Sequence, residues 1–460
     1  MKTKKIISII LSAVMILSLT VLTSCKNNKA NGNSNANGEY TGEVVEITVG
    51  DLVLSASGSS RWVALRQQQF EKEHPEIKVN HIMAAAGDTT NIVEYLTTLF
   101  MGDSSPVYFE VSSTYYMRDL YNSDLAADIS PYISDNAFDD MYDYVAESVQ
   151  YGDAVIGYPV ALEIPLLGFF NENLKAAGYD PETFTCETWD DYYEVAEKMT
   201  TNSIKGSSLY VYEYFLWPAN WFQSNNATPA VQNEDGTISL QFASDNMIET
   251  LEFFKKLYDN GLTNKNITYT QISDMLKLIY NKKVASFTLY PTWLNTLEAN
   301  GIKAEDITLS LFPKGPNYNE NSPASNVIVS GAVFNATKSP EELQAAVTYY
   351  EYMNAPDAMA DLAKFKTENH IIDFKISPYE TTDWKSALEA NNIPKNWIDT
   401  TAAALNEGYV SPLRSTAFST YLTSQFGSLI RDNIDMRKTL QSAQETASRE
   451  WLSNFNTYLK

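Results

Sequence analysis

One carboxylate stands out among the groups that could do chemistry in this sequence. Residues 157–170, GYPVALEIPLLGFF, read as two short apolar extended runs, 158–162 and 164–170, interrupted by Glu163 and Pro165. Proline removes a backbone donor and is poorly tolerated inside a central strand, so the segment reads as a crossing between two structural units. A carboxylate in the middle of such a crossing faces a cleft, where it accepts hydrogen bonds; the plainer alternative is an edge strand with Glu163 in solvent. Aromatic rings supply a second kind of group. Residues 209–222, LYVYEYFLWPANWF, hold seven aromatics, Tyr212, Tyr214 and Trp217 among them, and Trp293 follows a strand-like run and a proline turn. A saccharide offers apolar C–H faces that a ring can cover and paired hydroxyls that carboxylate, amide and guanidinium groups can hydrogen-bond. Trp217, Trp221, Trp293, Trp384 and Trp397 all lie beyond the crossing. Taken singly, a tryptophan is more often a core residue than a contact; only Trp293 stands even, and Trp189, on the polar start of a helix, reads as structural.

The elements that must position these groups alternate in type. Residues 46–53 read as a first strand, 62–74 as a helix, 77–82 as a second strand, 91–101 as a second helix and 107–111 as a third strand, an order that indicates a sheet with parallel strands covered on both faces. Ligands sit beyond the carboxyl ends of such strands, which directs attention to two polar turns, 55–61 and 112–119. The acidic, tyrosine-rich run 135–151 reads as a solvated helical segment. Beyond the crossing, Thr188 is a plausible N-cap for a helix to residue 199. Residues 242–260 form a strong amphipathic helix stopped by Gly261. Strands are expected at 284–289 and 308–312, an apolar run at 325–334, and a helix opened by Ser339-Pro340-Glu341-Glu342. The remainder is mostly helical, broken around 392–394 and 409–414.

Composition excludes several functions. The chain has 460 residues, 44% hydrophobic and 20% charged, enough for two or three domains with a large core. Lys2, Lys4 and Lys5 precede an apolar run ending in Leu22-Thr23-Ser24-Cys25, which reads as a secretory signal and resembles a bacterial lipobox with Cys25 as the lipidated (palmitate-bearing) mature N-terminus. Residues 26–42, rich in Asn, Gly and Ser, read as a flexible tether. Removing residues 1–24 takes away three lysines and leaves 30 basic against 57 acidic side chains, a formal charge of −27. Such a surface repels phosphate backbones and anionic headgroups, so nucleic-acid binding is excluded and attachment to a membrane falls to the lipid. Only Cys186 remains after Cys25, so no disulfide can form, and a buried free thiol is expected.

Catalysis is not indicated. The chain carries no GxSxG elbow, HExxH or phosphate loop, and His74, His81 and His370 are spaced as no metal site requires, so neither a metal nor a cofactor is expected. A glycosidase needs only two carboxylates, and among 57 acids such a pair stays open, as does a structural or adhesive lipoprotein.

Several blocks in order carry a family resemblance: FEKEHPEIKV at 70–79, LAADI at 125–129, the crossing with the following NENL, AAGYDPETFTCETWDDYYEVAEKM at 176–199, KVASFTLYPTW at 283–293 and LFPKG at 311–315. Together they resemble the family 1 extracellular solute-binding proteins, receptors of ABC importers that include the maltodextrin receptors. The resemblance covers nearly the whole mature chain. It implies a type II periplasmic-binding-protein-like fold of two discontinuous α/β lobes joined by a hinge, 43–161 plus 313–355 and 162–312 plus 356–460, closing on a ligand between them. It implies that Glu163 lies at the first crossing, that Tyr214 with Tyr212 falls at a sugar-contacting pair, and that Trp293 falls near a stacking tryptophan. Arg61 and Trp62, and Tyr115 and Tyr116, match contact loops of the first lobe in position, and Arg414 falls in a loop that faces the cleft. The usual Asp before the third strand is Val107 here, and another is replaced around Thr114, so maltodextrin itself is not carried over. The implied function is a monomeric, lipid-anchored receptor on the extracytoplasmic face of a bacterial membrane that captures a carbohydrate, an oligosaccharide by preference, for ABC permease subunits. A glycan-processing enzyme or a receptor for a peptide or polyamine is the alternative.

Overall fold

The computed structural model describes residues 42–50, 58–82, 92–102, 104–211, 218–235, 237–269, 272–320, 325–411, 415–452 and 456. The signal, Cys25, nearly all of the tether, and the candidate residues Tyr212, Tyr214, Trp217 and Arg414 lie outside them. The chain begins β1 (Val45–Gly50), α1 (Ser60–Glu73), β2 (Ile77–His81), α2 (Ile92–Phe100), β3 (Tyr108–Val111) and α3 (Tyr115–Tyr121). The expected strand–helix alternation is present, and β1 pairs in parallel with β2 and β3. The sheet is nonetheless mixed. Two late or distant strands complete it, β4 (Tyr158–Glu163) and β9 (Ile328–Phe334), giving the order β2-β1-β3-β9-β4 with β9 antiparallel to both neighbours.

A second sheet is built from β5 (Leu166–Phe170) flanked by β6 (Ser286–Leu289) and β7 (Ile307–Ser310), both antiparallel to it. On this sheet packs α4 (Trp189–Met199), whose Tyr192 meets Ser286 and Phe169, and α5 (Ala219–Gln223) and α6 (Asp245–Asp259) pack against α4 through Trp221 and Phe253. The helix starts follow the sequence: Thr188 accepts from the Asp191 amide while the Asp191 carboxylate accepts from the Thr188 amide, and Ser339 forms the same reciprocal box with Glu342 at the start of α7 (Pro340–Asn354). Gly261 takes φ +67° just past α6, the left-handed stop that glycine accommodates without a Cβ penalty. β8 (Ser325–Asn326) and β10 (Gly408–Tyr409) form a separate two-stranded parallel pair.

Two expectations need amendment. The run 135–151 holds one helical turn, Asp143–Ala146, a 3₁₀ turn, and a strand Gln150–Tyr151 paired with Ala154–Val155. Its apolar and aromatic side chains are taken up by packing: Met141, Val145 and Tyr151 are buried and the Tyr142 and Tyr144 rings stack 5.4 Å apart, so tertiary contact overrides the acidic helical pattern. The helix α8 (Pro356–Glu368), expected with the second lobe, packs on helices of the first sheet: the Trp62 indole of α1 donates to Asp361, and Arg66 reaches the Tyr352 carbonyl and Asp357.

Four of the seven described tryptophans, Trp62, Trp189, Trp221 and Trp397, are core. Trp397, in α9 (Lys395–Asn406), is fully buried with its indole N–H on the Ile307 carbonyl; Trp221 packs edge-on to Tyr192; and Trp189 stacks on Phe253 at 4.5 Å. The helix α10 (Thr416–Arg431) lies on α6 and stacks Phe426 on Phe222.

Candidate functional site

Residues 158–170 divide as their proline suggests. β4 is the edge strand of the first sheet, where Pro159 is tolerated beside an irregularity in register between Ser330 and Gly331. β5 is the centre of the second sheet. Only Ile164 and Pro165 separate them, so Glu163 sits where one sheet ends and the other begins.

Three further segments of chain converge on that point. Ile328, at the start of β9, is the register partner of Glu163, and Leu162 exchanges backbone hydrogen bonds with Ile376 at 2.7 and 3.1 Å. From the other sheet, Leu289 of β6 pairs with Leu166, after which the chain turns at Pro291. That turn brings the Thr292 hydroxyl to donate to Glu163 Oε2 at 3.1 Å. Trp293 rides on the same 3₁₀ turn, half-buried, its ring 5.0 Å from that of Tyr290 and tilted by 39°. A carboxylate and an indole from opposite sides of the junction are thus one residue apart through Thr292.

Burial holds the Glu163 carboxyl above the usual carboxylate range. The Lys375 ammonium and the Thr292 hydroxyl oppose the shift, and Asp373 adds to it. Asp373 is ion-paired at 2.9 Å to Lys366, both largely buried, and accepts from the Lys375 amide. Beside this pair Val160, Ala161, Lys375 and Trp384 help line a cavity of about 30 Å³, room for one water.

A second buried chain of polar groups laces the junction. The Tyr115 hydroxyl of α3 donates to Asn326 Oδ1 at 3.3 Å, the Asn326 amide donates to Asn220 Oδ1 at 2.7 Å, and Asn220 Nδ2 donates to the Pro165 carbonyl at 2.8 Å. Asn220 on α5 therefore holds two separate crossings at once. Both asparagines are buried, in keeping with the rule that interior amides are paired.

The candidate residues consequently part company. Glu163 accepts from Thr292, the residue before Trp293. Tyr115 is buried and spends its hydroxyl on Asn326. Tyr116 is half-buried against the cluster that includes Leu120 and Phe109. Trp62 is buried with its indole N–H on Asp361, committed to helix packing, whereas Arg61 beside it is exposed. Sequence reasoning missed Thr292, Asn220, Asn326 and Lys375. Thr292, between Pro291 and Trp293, carried a positional hint; the asparagines carried none, since a polar amide such as Asn220, two residues after Pro218, reads as turn chemistry. Cys186 is a buried free thiol that burial pushes up from its ordinary pKa. Among the described residues no group of three His, Cys, Asp or Glu side chains could hold a metal ion, and no helix is long and apolar enough to cross a membrane.

Two α/β lobes traversed repeatedly by one chain, with a carboxylate and an aromatic at the crossing, define a two-lobed binding protein. The sequence profile of the bacterial extracellular solute-binding proteins matches residues 55–360, and the chain belongs to that family, whose members are binding proteins found outside the cytoplasm. It is 21% identical over 300 residues to an uncharacterised ABC transporter extracellular-binding protein of Pyrococcus horikoshii, an alignment spanning 64% of this chain and 66% of that one. The fold is similar to that of the ABC substrate-binding protein Lmo0181 from Listeria monocytogenes, solved in complex with cycloalternan (TM-score 0.66, 18% identity, 88% of this chain and 99% of that one). It is likewise similar to the galacto-N-biose-/lacto-N-biose I-binding protein of Bifidobacterium longum, solved with lacto-N-biose (TM-score 0.68, 15% identity, 90% and 98%). The type II two-lobed fold expected from the sequence is the fold observed.

Proposed function

We propose that this protein is a lipid-anchored receptor that captures a carbohydrate, an oligosaccharide by preference, between its lobes and delivers it to an ABC importer. The observation that carries the reading is the meeting of Glu163 and Trp293 through Thr292 at the junction of the two sheets. A carboxylate held by one donor has acceptor capacity to spare for sugar hydroxyls, and a half-buried indole can cover a C–H face. Lobe closure then draws on the ligand's differential affinity for the shut form. The sugars named with the similar structures favour this class over peptides and polyamines. Arg61, Tyr116 and the aromatic run with Tyr212, Tyr214 and Trp217 complete the proposed lining, and Cys25 is the proposed site of lipidation.

Calorimetry and thermal-shift screening against oligosaccharides, peptides and polyamines test the proposal. Stabilisation by a sugar with no new product by chromatography supports it; a hydrolysis product makes the protein an enzyme, and stabilisation by a peptide or polyamine alone removes the carbohydrate. Glu163→Ala is expected to weaken the binding found in that screen, and wild-type affinity in the variant takes Glu163 out of the site. Mass analysis of the amino-terminal peptide after membrane extraction decides the lipid on Cys25.

A further inference from the structure

The helix α10 lacks an N-cap of its own. Ser415 occupies the N-cap position in an extended conformation, and its side chain caps no amide of the helix. The missing acceptor comes from elsewhere in the chain. Asp119 Oδ2, on α3, accepts from the Thr416 amide at 2.9 Å and from the Thr416 hydroxyl, and the Ser415 hydroxyl also donates to this carboxylate. Three donors at the start of one helix thus converge on a carboxylate nearly 300 residues away. Burial raises the Asp119 carboxyl above its ordinary range, and the Thr416 and Ser415 donors and the Arg118 guanidinium oppose that shift.

The two partners belong to different lobes. α3 sits on the first sheet, with Met117 against Gly157 and Leu120 in the cluster that contains Phe109 and Val111. α10 rests on α6 and on Phe222 beside the second sheet. A second contact across the lobes has the complementary sense: the Tyr144 hydroxyl donates at 3.2 Å to the Leu405 carbonyl, near the C-terminus of α9, where carbonyls lack helical partners. An acceptor from the first lobe therefore meets a helix N-terminus of the second, and a donor meets a helix C-terminus.

A helix capped by its own N-cap residue is indifferent to where the other lobe lies. α10 is satisfied only while the lobes are together, because opening moves Asp119 away and leaves its first amide and two hydroxyls to water. We propose that Asp119 is a latch that biases the unliganded protein toward its shut arrangement and thereby sets ligand affinity without touching ligand. The ligand then meets a population already weighted toward the binding-competent form, and apparent affinity scales with that fraction. The effect on affinity rests on the receptor reading above, but the shape of the unliganded molecule does not.

The test is small-angle X-ray scattering of the purified protein without ligand, for the wild type, Asp119→Ala, Asp119→Asn and Thr416→Val, with circular dichroism melts to establish that each is folded. The wild type is expected to contain the shut form. Asp119→Ala should shift the radius of gyration outward, Thr416→Val should shift it less because the amide donor remains, and Asp119→Asn, whose amide oxygen still accepts, should stay near the wild type. A folded Asp119→Ala protein with wild-type scattering overturns the proposal, as does a wild type that scatters as the open form alone. If the shape shifts as expected but no sugar binds, the latch stands and the carbohydrate reading falls.

Discussion

Asn220→Ala gives a direct measure of what holds the junction together. The substitution takes the acceptor from the Asn326 amide and the donor from the Pro165 carbonyl, both on buried crossings. Leaving a buried backbone group unpaired costs about 1–3 kcal/mol, so two such groups give about 2–6 kcal/mol before any cavity is counted. At about 2 °C per kcal/mol for a chain of this size, the midpoint of thermal unfolding should fall by roughly 4–12 °C. Asn220→Asp sharpens the experiment. The aspartate keeps an acceptor for Asn326 but presents a second oxygen to the Pro165 carbonyl, so at neutral pH it should be at least as damaging as alanine. Its buried carboxyl would have a raised pKa, the folded state would bind a proton the unfolded state releases, and stability should recover as pH falls, because the protonated acid regains a donor. Differential scanning calorimetry at neutral and mildly acidic pH reads both effects. An Asn220→Ala protein melting within about 1 °C of the wild type, or an Asn220→Asp protein indifferent to pH, would refute the reasoning.

Other consequences can be checked in the same preparations. Glu163 has a folded pKa raised above the ordinary carboxylate value, so its contribution to stability falls as pH rises from that ordinary value through the folded one. Glu163→Gln should therefore raise the melting temperature at neutral pH, with the gain vanishing toward pH 4; a gain that is constant with pH contradicts the burial argument. Trp293→Ala should leave the fold intact, since the ring is only half-buried, and weaken the sugar identified by screening by about tenfold in titration calorimetry, equivalent to about 1.4 kcal/mol. Gly331→Ala would set a Cβ 2.3 Å from the Tyr158 carbonyl oxygen at the β9–β4 irregularity, and a loss of about 1–3 kcal/mol in denaturant unfolding is expected.

Much of the architecture was legible because it is locally encoded. Pro165 separated two strands that fall in different sheets, Thr188 and Ser339 announced helix starts that form reciprocal caps, and Gly261 marked a stop. Features fixed by distant partners were not legible. The antiparallel β9 inserts between β3 and β4, which no periodicity in residues 325–334 could reveal, and α8 joins the first lobe through Trp62 and Arg66, nearly 300 residues earlier. At the candidate site, residue type and position single out Glu163 and Trp293, and the fold sets Thr292, the neighbour of Trp293, on the Glu163 carboxylate. Trp62 was misleading for a physical reason: a tryptophan in a turn-to-helix segment suits a contact or a core equally well, and the Asp361 partner that decides it is remote. Asn220 and Asn326 gave no signal, because an amide's importance here lies in the geometry it bridges.

The insertion of β9 also orders the molecule in time. When the ribosome has delivered residue 310, β5, β6 and β7 all exist and the second sheet can close, whereas the first still lacks the strand that joins β3 to β4. The sheet of the amino-terminal lobe therefore closes after that of the second lobe. Until residue 334 emerges, the facing edges of β3 and β4 are open backbone ladders, which places the greatest hazard of mispairing on the half of the protein that is made first.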